Sequence, residues 1–597
     1  MKKDEFCADG ADRADGRLTI ARMACYKGGM KEGMKQEKAE RTESEKLLTV
    51  EMRQGILRRF TETFATHPTS LFRSQVMNIV RLKQFFSLIV LLAVSMVPGK
   101  VRAADTRPNI LFVIFDDWGW QHAGAYGCDW VKTPNFDRVA REGVLFKNAF
   151  TSNPKCSPCR ASILTGRNTW QLEEASCHNG IFPSKFAVYP DLLEAAGYTV
   201  GLTGKGWGPG DFKSTGFKRN PAGPTFDLHK MSETPASGIG KHDYSKNFEA
   251  FLAQKPKGKP FSFWMGFQEP HRAYELNSGV KLGKKLEDVK VPSYLPDNAV
   301  VRGDLADYAI EVEYADAHIG RALKALEDAG ELENTLVIVT SDHGMPFPFV
   351  KGQIHEDGFH LPLAMRWGKG IKPGRVVDDF VNVRDFAPTY LELAGVKQHP
   401  QITGKSLVNL LKSNKSGQIE AERNVMVAGK ERHDLGRPND WGFPVRAIRT
   451  KEFLYVHNFQ PERWPVGNPE TDFGNCDPSP SKEVIKMLGG YYYELCFGKR
   501  QADELYRLSD DPECVRNLAN DIAFNYIKEE MQTRMMTILR AEQDPRALGN
   551  GAIFDTYKYV SGRTKGYETW LNAQDSKLDE MMKAKAAEAP KGKKKKQ

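Results

Sequence analysis

From residue 109 onward, short apolar runs alternate with stretches whose apolar residues recur at helical spacing. NILFVIFDD (109–117) is a continuous apolar run closed by two acids, the pattern of a strand buried on both faces. TPNFDRVAREG predicts a helix with Thr133 or Asn135 near its start, and VLFKNAFT predicts a strand. YPDLLEAAG predicts a helix closed by Gly197, and YTVGLTGKG the strand after it. FSFWMGFQEPH predicts a further strand, Asp307 to Ala329 a helix, and TLVIVTSDHG a β-branched strand ending in Asp342 and His343. Strand, helix and strand in repetition predict an α/β fold: a large, mostly parallel mixed sheet sandwiched by helices.

The polar stretch KSNKSGQ, near 412–417, predicts a joint between a large domain over 105–415 and a smaller C-terminal α+β domain over 420–570. The second part holds short strands (NVMVAG, VRAIRT, FLYVHNF), then DELYRLSDDPECVRNLAND and a helix. The end, 583–597, is Lys-rich and of low complexity, which predicts a disordered tail.

The chain has 597 residues and a net charge of +9, but the charge sits at the ends. Residues 1–76 carry +3, residues 77–103 carry +4 and the tail carries +6, which leaves −4 for 104–582. Nucleic-acid binding needs a basic patch on the folded body, and no zinc-finger or helix-turn-helix spacing is present, so no nucleic-acid partner is expected. Residues 77–104 join a basic start (Arg81, Lys83) to an apolar run from Phe85 to Val97 and a small-residue end. That is the form of a secretory signal peptide, too short for an ordinary membrane span. Residues 1–76 are polar and without clear periodicity, as a non-native or disordered extension would be. The expected mature protein is exported, periplasmic or secreted, with no stable membrane span after cleavage. It keeps Cys128, Cys156, Cys159, Cys177, Cys476, Cys496 and Cys514, and an odd count points to one special thiol.

Ligands in open α/β sheets gather at the carboxyl ends of strands. Asp116 and Asp117 end one expected strand, Asp342 and His343 another, and Lys205 and His271 follow two more. Together they predict a metal and anion site. CSPCRASILTGR (156–167) suits a turn entering a helix, whose N-terminus attracts anions. It lacks the second cysteine pair of a zinc site and the setting of a redox motif.

This stretch resembles the signature of the sulfatase family, Cys-x-Pro-x-Arg followed by Leu-Thr-Gly. DDWGWQHAGAYGCDWVKTPNFDRVAREGVLFKNAF, LTGKG, QEPH, VIVTSDHG, KGQIHEDGFHLPL and ELYRLSDDPECVRNLA resemble its other blocks, in order, over 107–525. The resemblance implies an alkaline-phosphatase-like fold and a formylglycine made from Cys156 by a formylglycine-generating or sulfatase-maturating enzyme. It implies a metal, Ca2+ with Mn2+ or Mg2+ as alternatives, held by Asp116, Asp117, Cys156, Asp342 and His343. Arg160 would hold the formylglycine, and Lys205, His271 and Lys351 would contact the sulfate or the leaving atom.

Two departures stand out. Many relatives carry Asn where His343 stands, and histidine is a poor calcium ligand. Relatives often carry His where Trp207 stands, so a base is missing, and His343 is the expected replacement. RAIRTKEFLYVHNF resembles the heparan N-sulfatase (N-sulfoglucosamine sulfohydrolase) branch. His433, Arg437 and Arg463, with Arg446 and Trp464 nearby, are the expected contacts to an anionic sugar. The expected substrate is a sulfated glycan, N-sulfoglucosamine first. The Asp-His pair at 342–343 keeps a phosphonate or phosphate diester hydrolase as the alternative, and a non-catalytic binder of sulfated glycans is the alternative outside enzymes.

The signal-like run generates one prediction. Terminal sequencing of exported protein should find a first residue close to Ala104 or Asp105; a first residue before Met77 would contradict the reading of 1–76 as a non-native extension ahead of a signal peptide.

Overall fold

The computed structural model describes residues 107–560 and 566–588. The extension, the signal-like run and residues 589–597 lie outside the described residues. An eight-stranded mixed sheet organises the larger part. Strand β1 (Asn109–Phe115) lies at its centre, parallel to β4 (Phe261–Gly266) on one side and β5 (Thr335–Ser341) on the other, with β3 (Thr199–Gly204) beyond β4. Past β5 come the antiparallel β7 (Leu363–Arg366), then β2 (Val144–Phe150), which pairs with the short antiparallel β6 (His360–Leu361) and with the parallel β8 (Arg375–Asn382).

The continuous apolar run of β1 has the reason expected for it. Leu111, Val113 and Phe115 enter one core, and Ile110, Phe112 and Ile114 enter the other. Side chains alternate across a strand, so both faces must be apolar when both are covered. The first core is closed by α1 (Pro134–Arg141) and by a helix longer than its apolar spacing predicts, Ala299–Asp328. That helix begins eight residues before Asp307, capped by Asn298, whose side chain accepts from Val300 and Val301 N–H. The second core is closed by α2 (Cys156–Thr165) and by Tyr189–Ala195 and Phe386–Leu393. The strands β6, β7 and β8 have no counterpart in the periodicity reading.

The smaller part is a four-stranded antiparallel sheet: β9 (Val425–Lys430), β10 (Val445–Thr450), β11 (Phe453–Asn458) and β12 (Asp503–Arg507). One face packs on Phe150, Phe359 and Phe380 of the larger part, and the other on Met531, Met535 and Leu539 of the helix Asn525–Ala541. The stretch expected to be a joint is tied down, since Gly417 exchanges hydrogen bonds with the β8 backbone at Val376 and Asp378. A last helix, Tyr567–Glu588, carries Lys583 and Lys585, so the tail expected to be disordered from 583 begins as helix. The Ala-, Glu- and Lys-rich composition there has high helix propensity. The seven expected cysteines are free thiols; Cys476 and Cys496 are each buried, and neither forms a disulfide. Among the described residues, no helix is long and apolar enough to cross a membrane.

A buried charge network fixes β10. Arg446 donates from Nε (2.7 Å) and Nη2 (2.8 Å) to Asp544, and its guanidinium lies 2.9 Å from Glu431, which also pairs with Arg546 at 2.8 Å. Breaking such a pair leaves an uncompensated buried charge. Arg446→Ala is predicted to destabilise the fold by about 3–5 kcal/mol, read as a clearly lower melting temperature. An unchanged melting temperature would contradict the assignment of this arginine to the fold.

Candidate active site

The carboxyl ends of β1, β3 and β4 open onto one cavity of about 650 Å³, and the end of β5 lies buried beside it. At its floor stands Cys156, the first residue of α2. Pro158 falls in the first turn, where its missing N–H is no loss. Arg160 lies one turn on and therefore on the same face. Gly166 ends the helix at φ +65°, and a side chain there would meet Ile402 at 2.8 Å, so the tight exit needs glycine.

Asp116 and Asp117 would point to opposite faces if β1 simply continued. Instead Asp117 adopts φ +77°. This left-handed turn, costing about 1 kcal/mol or more for a non-glycine residue, brings both carboxylates into the same cluster. The Asp117 N–H donates to Asp342 Oδ1 at 3.2 Å. Four donor atoms, from Asp116, Asp117, Cys156 and His343, lie within 4.8 Å of one another. His343 Nε2 stands 3.1 Å from Asp117 Oδ1 and 3.4 Å from Cys156 Sγ.

The cluster has room for a cation. Asp116 Oδ1 and Asp117 Oδ1 are buried without a hydrogen-bond partner. Carboxylate oxygens suit a hard divalent ion, and the imidazole is the borderline member. The thiol stands in for an oxygen of a modified residue 156. Asp342 is not part of this foursome. Its Oδ1 accepts from Asp117, and its Oδ2 accepts from Arg160 Nε at 3.0 Å. Asp342, the fifth expected metal ligand, thus lies beside the foursome and also holds the arginine and the turn.

Cations surround the acids. Lys205 Nζ pairs with Asp116 Oδ2, and Lys351 Nζ bridges Asp117 (2.6 Å) and Asp477 (2.7 Å). Burial pushes the Asp116 carboxyl up, but Lys205, His271 and Arg160 outweigh it and hold the group well below the usual carboxylate range. Burial alone would lower Lys351, yet Asp117 and Asp477 hold it well above its ordinary value. Burial also opposes a charged His343, and Asp342 and Asp117 overcome it, raising the imidazole to about 9. For the Cys156 thiol, burial and Asp116 act upward; Lys205, His343 and His178 win, and the group lies well below its ordinary value. His271 stands at the mouth, its Nδ1 donating to the Arg272 carbonyl at 2.7 Å and its Nε2 4.0 Å from Asp117.

Six expected catalytic residues, Cys156, Arg160, Lys205, His271, His343 and Lys351, thus come together here. The three expected sugar contacts do not. Arg437 is buried and spends its guanidinium on the carbonyls of Trp464, Trp441 and Pro465. Arg463 pairs with Asp555 and covers Trp441, and His433 faces Asn153 Oδ1 at 2.9 Å. They hold loops together outside the cavity. Trp207, where a histidine was missed, donates from Nε1 to the Ser157 carbonyl at 3.0 Å and braces the first turn of α2.

The cavity wall holds groups the sequence reading passed over: Lys155, His178, Asp434 and Asp477. Asp434 pairs with Lys155 Nζ at 3.0 Å and with His178 Nδ1 at 2.9 Å. His178 Nε2 is buried with no hydrogen bond of its own. Burial pushes this imidazole down, while Asp434 and the Cys156 thiol more than restore it. Asp434 is the neighbour of His433 and could have been reached from that motif; nothing in the sequence singles out His178 or Asp477.

Comparisons with known proteins agree with this geometry. The family model described as Sulfatase matches residues 108–396, and that of N-sulphoglucosamine sulphohydrolase, C-terminal, matches 342–465. An ulvan-active sulfatase of Formosa agariphila is 24% identical over 79% of this chain and 80% of its own length. Human N-sulphoglucosamine sulphohydrolase is 28% identical over 76% of this chain and 93% of its own. A solved structure of a protein in complex with its substrate D-glucosamine-2-N,6-O-disulfate shares the fold, with TM-score 0.54, 21% identity, and coverage of 73% of this chain and 98% of that one.

Two substitutions separate ligands from bystanders. Elemental analysis of protein purified with Ca2+ should show metal lost in Asp117→Ala and retained in His433→Gln. Full metal in Asp117→Ala would contradict the placement of the ion.

Proposed function

The chain belongs to the sulfatase family, and from that premise we propose that it hydrolyses sulfate from a sulfated glycan, N-sulfoglucosamine first, at a formylglycine made from Cys156. The observation that carries the reading is the position of Cys156: first residue of a buried helix, on the cavity floor, with Asp116, Asp117 and His343 within ligand distance. The match to the human N-sulphoglucosamine sulphohydrolase, and to that enzyme's C-terminal family model, supports the choice of sugar. A maturation enzyme is the implied partner, and the signal-like run supports export.

Asp116, Asp117 and His343 would hold the divalent ion, Ca2+ in the first place, with an oxygen of the modified residue 156 completing the set. Formylglycine would supply a hydrated aldehyde with two hydroxyls, and a divalent ion held there would lower the pKa of one of them toward neutral pH. The remaining work falls to this chain's side chains. Lys205 and Lys351 neutralise sulfate oxygens at the floor, in a site that excludes water. Arg160 fixes the modified residue through its place on the same helix face. His271 has Nδ1 committed to a carbonyl, so as imidazolium it can donate from Nε2 to the leaving nitrogen or oxygen.

The missing base has a candidate better placed than His343, whose Nε2 belongs to the carboxylate cluster. His178 has Nδ1 anchored by Asp434 and Nε2 open, an arrangement in which a carboxylate orients an imidazole toward the reacting residue. His178 Nε2 takes the proton whose loss releases sulfate.

Enzyme produced with a maturation enzyme should release inorganic sulfate from N-sulfoglucosamine. Hydrolysis of an aryl phosphonate with none of any sulfated sugar would overturn the reading. For the base, His178→Gln should give a burst of about one equivalent of leaving group, then turnover slowed by about 10²-fold or more. Wild-type turnover in this variant would remove His178 from the mechanism.

A further inference from the structure

The cavity lining carries cations and acids together. Lys155, Lys205, Lys351 and His178 stand with Asp116, Asp434 and Asp477 around Cys156. Glu269 and Glu311, with Gly238 and Gly240, line the same cavity. Glu269 is fully employed, since one oxygen accepts from the Gly240 N–H (3.0 Å) and the other from Tyr244 Oη (2.8 Å). Arg272 is employed too, held by both oxygens of Asp304 at 2.6 and 2.8 Å.

Glu311 is different. It projects from the helix Ala299–Asp328, is 2% exposed, lines the cavity, and has no hydrogen-bond or ion-pair partner among the described residues. A carboxyl buried without a partner is costly, because its lost hydration is not replaced. The glycine facing it leaves the space open, and a side chain at Gly238 would stand 3.2 Å from Glu311 Oε1 and 2.4 Å from the Ala273 carbonyl.

Resting on the sulfatase reading above, we propose that Glu311 is a specificity-determining residue that hydrogen-bonds a hydroxyl of the substrate's sugar ring from the cavity wall. Burial, then the negative charge of Glu269, raises the Glu311 carboxyl to about 9, with Arg272 opposing. At neutral pH it is therefore a neutral acid. It can donate one hydrogen bond and accept another, as a hydroxyl does in return. A second sulfate beside Glu311 would meet the field of Glu269, and the nearby Arg272 is already held by Asp304. Glu311 thus suits an uncharged, hydroxylated ring edge.

The test compares kcat/KM for N-sulfoglucosamine with that for nitrophenyl sulfate, which has no ring hydroxyl. Glu311→Leu and Glu311→Ala should lower the sugar-to-aryl ratio by about 10- to 100-fold, mainly through KM, because a buried polar contact is lost for one substrate only. Glu311→Gln, which keeps a donor and an acceptor, should hold the ratio within about threefold. A Leu and an Ala variant that both keep the wild-type ratio overturn the inference, because a merely structural role moves both substrates together. Wild-type enzyme that cleaves neither substrate overturns the sulfatase reading itself.

Discussion

The guanidinium of Arg160 is the contact on which the site depends. It donates from Nε to Asp342 and from Nη1 to the Lys205 and Gly206 carbonyls, at 3.0, 2.7 and 3.2 Å, and its Nη2 lies 3.6 Å from Asp116. One side chain therefore ties α2 to the ends of β1, β3 and β5. The planar fork makes this feasible, since a lysine ammonium offers no such fixed set of directions. Wholly buried, the group is stable only with acceptors all round, and the acceptors are the very loops that carry the chemistry.

The same constraint sets the electrostatics. Asp116, Asp117, Asp342 and Asp477 crowd a water-poor space, and Arg160, Lys205, Lys351 and His343 balance them. Asp116 Oδ1 and Asp117 Oδ1 still lack a hydrogen-bond donor. Those two oxygens are where a divalent ion would be held, and the lysines around it would then face an incoming anion. Metal and sulfate sites are in this sense one charge arrangement, with the helix start at Cys156 between them.

Much of this was legible in the sequence, for identifiable reasons. Strands β1 and β5 are apolar on both faces, so their runs stand out, and the acids at their ends mark the ligand side. Cys156 and Arg160 are paired by the resemblance to the sulfatase signature, and their place one turn apart on α2 gives the physical reason. The short β6 and β7, split by Pro362, are too brief for a pattern, and the apolar run of β8 is interrupted by the polar Asp378, Asp379 and Asn382. The residues expected to touch the sugar lie off the cavity lining for another reason: arginines in a loop look alike in sequence, whether they bind a ligand or, like Arg437, hold three carbonyls. His178 and Asp477 reach the cavity from loops with no pattern. Glu311 looks like any charged helix residue, and only the walls around it show that it is buried.

The account's central claim is that residue 156 acts as an aldehyde rather than a thiol. The most direct measurement is the mass of the peptide spanning Cys156 to Arg160 in active enzyme, before and after treatment with a hydrazide. The account predicts a peptide carrying formylglycine in place of cysteine that gains the hydrazone mass, in a fraction that tracks specific activity. Fully active enzyme whose peptide carries only unmodified cysteine, reactive to thiol reagents and inert to hydrazide, would contradict it.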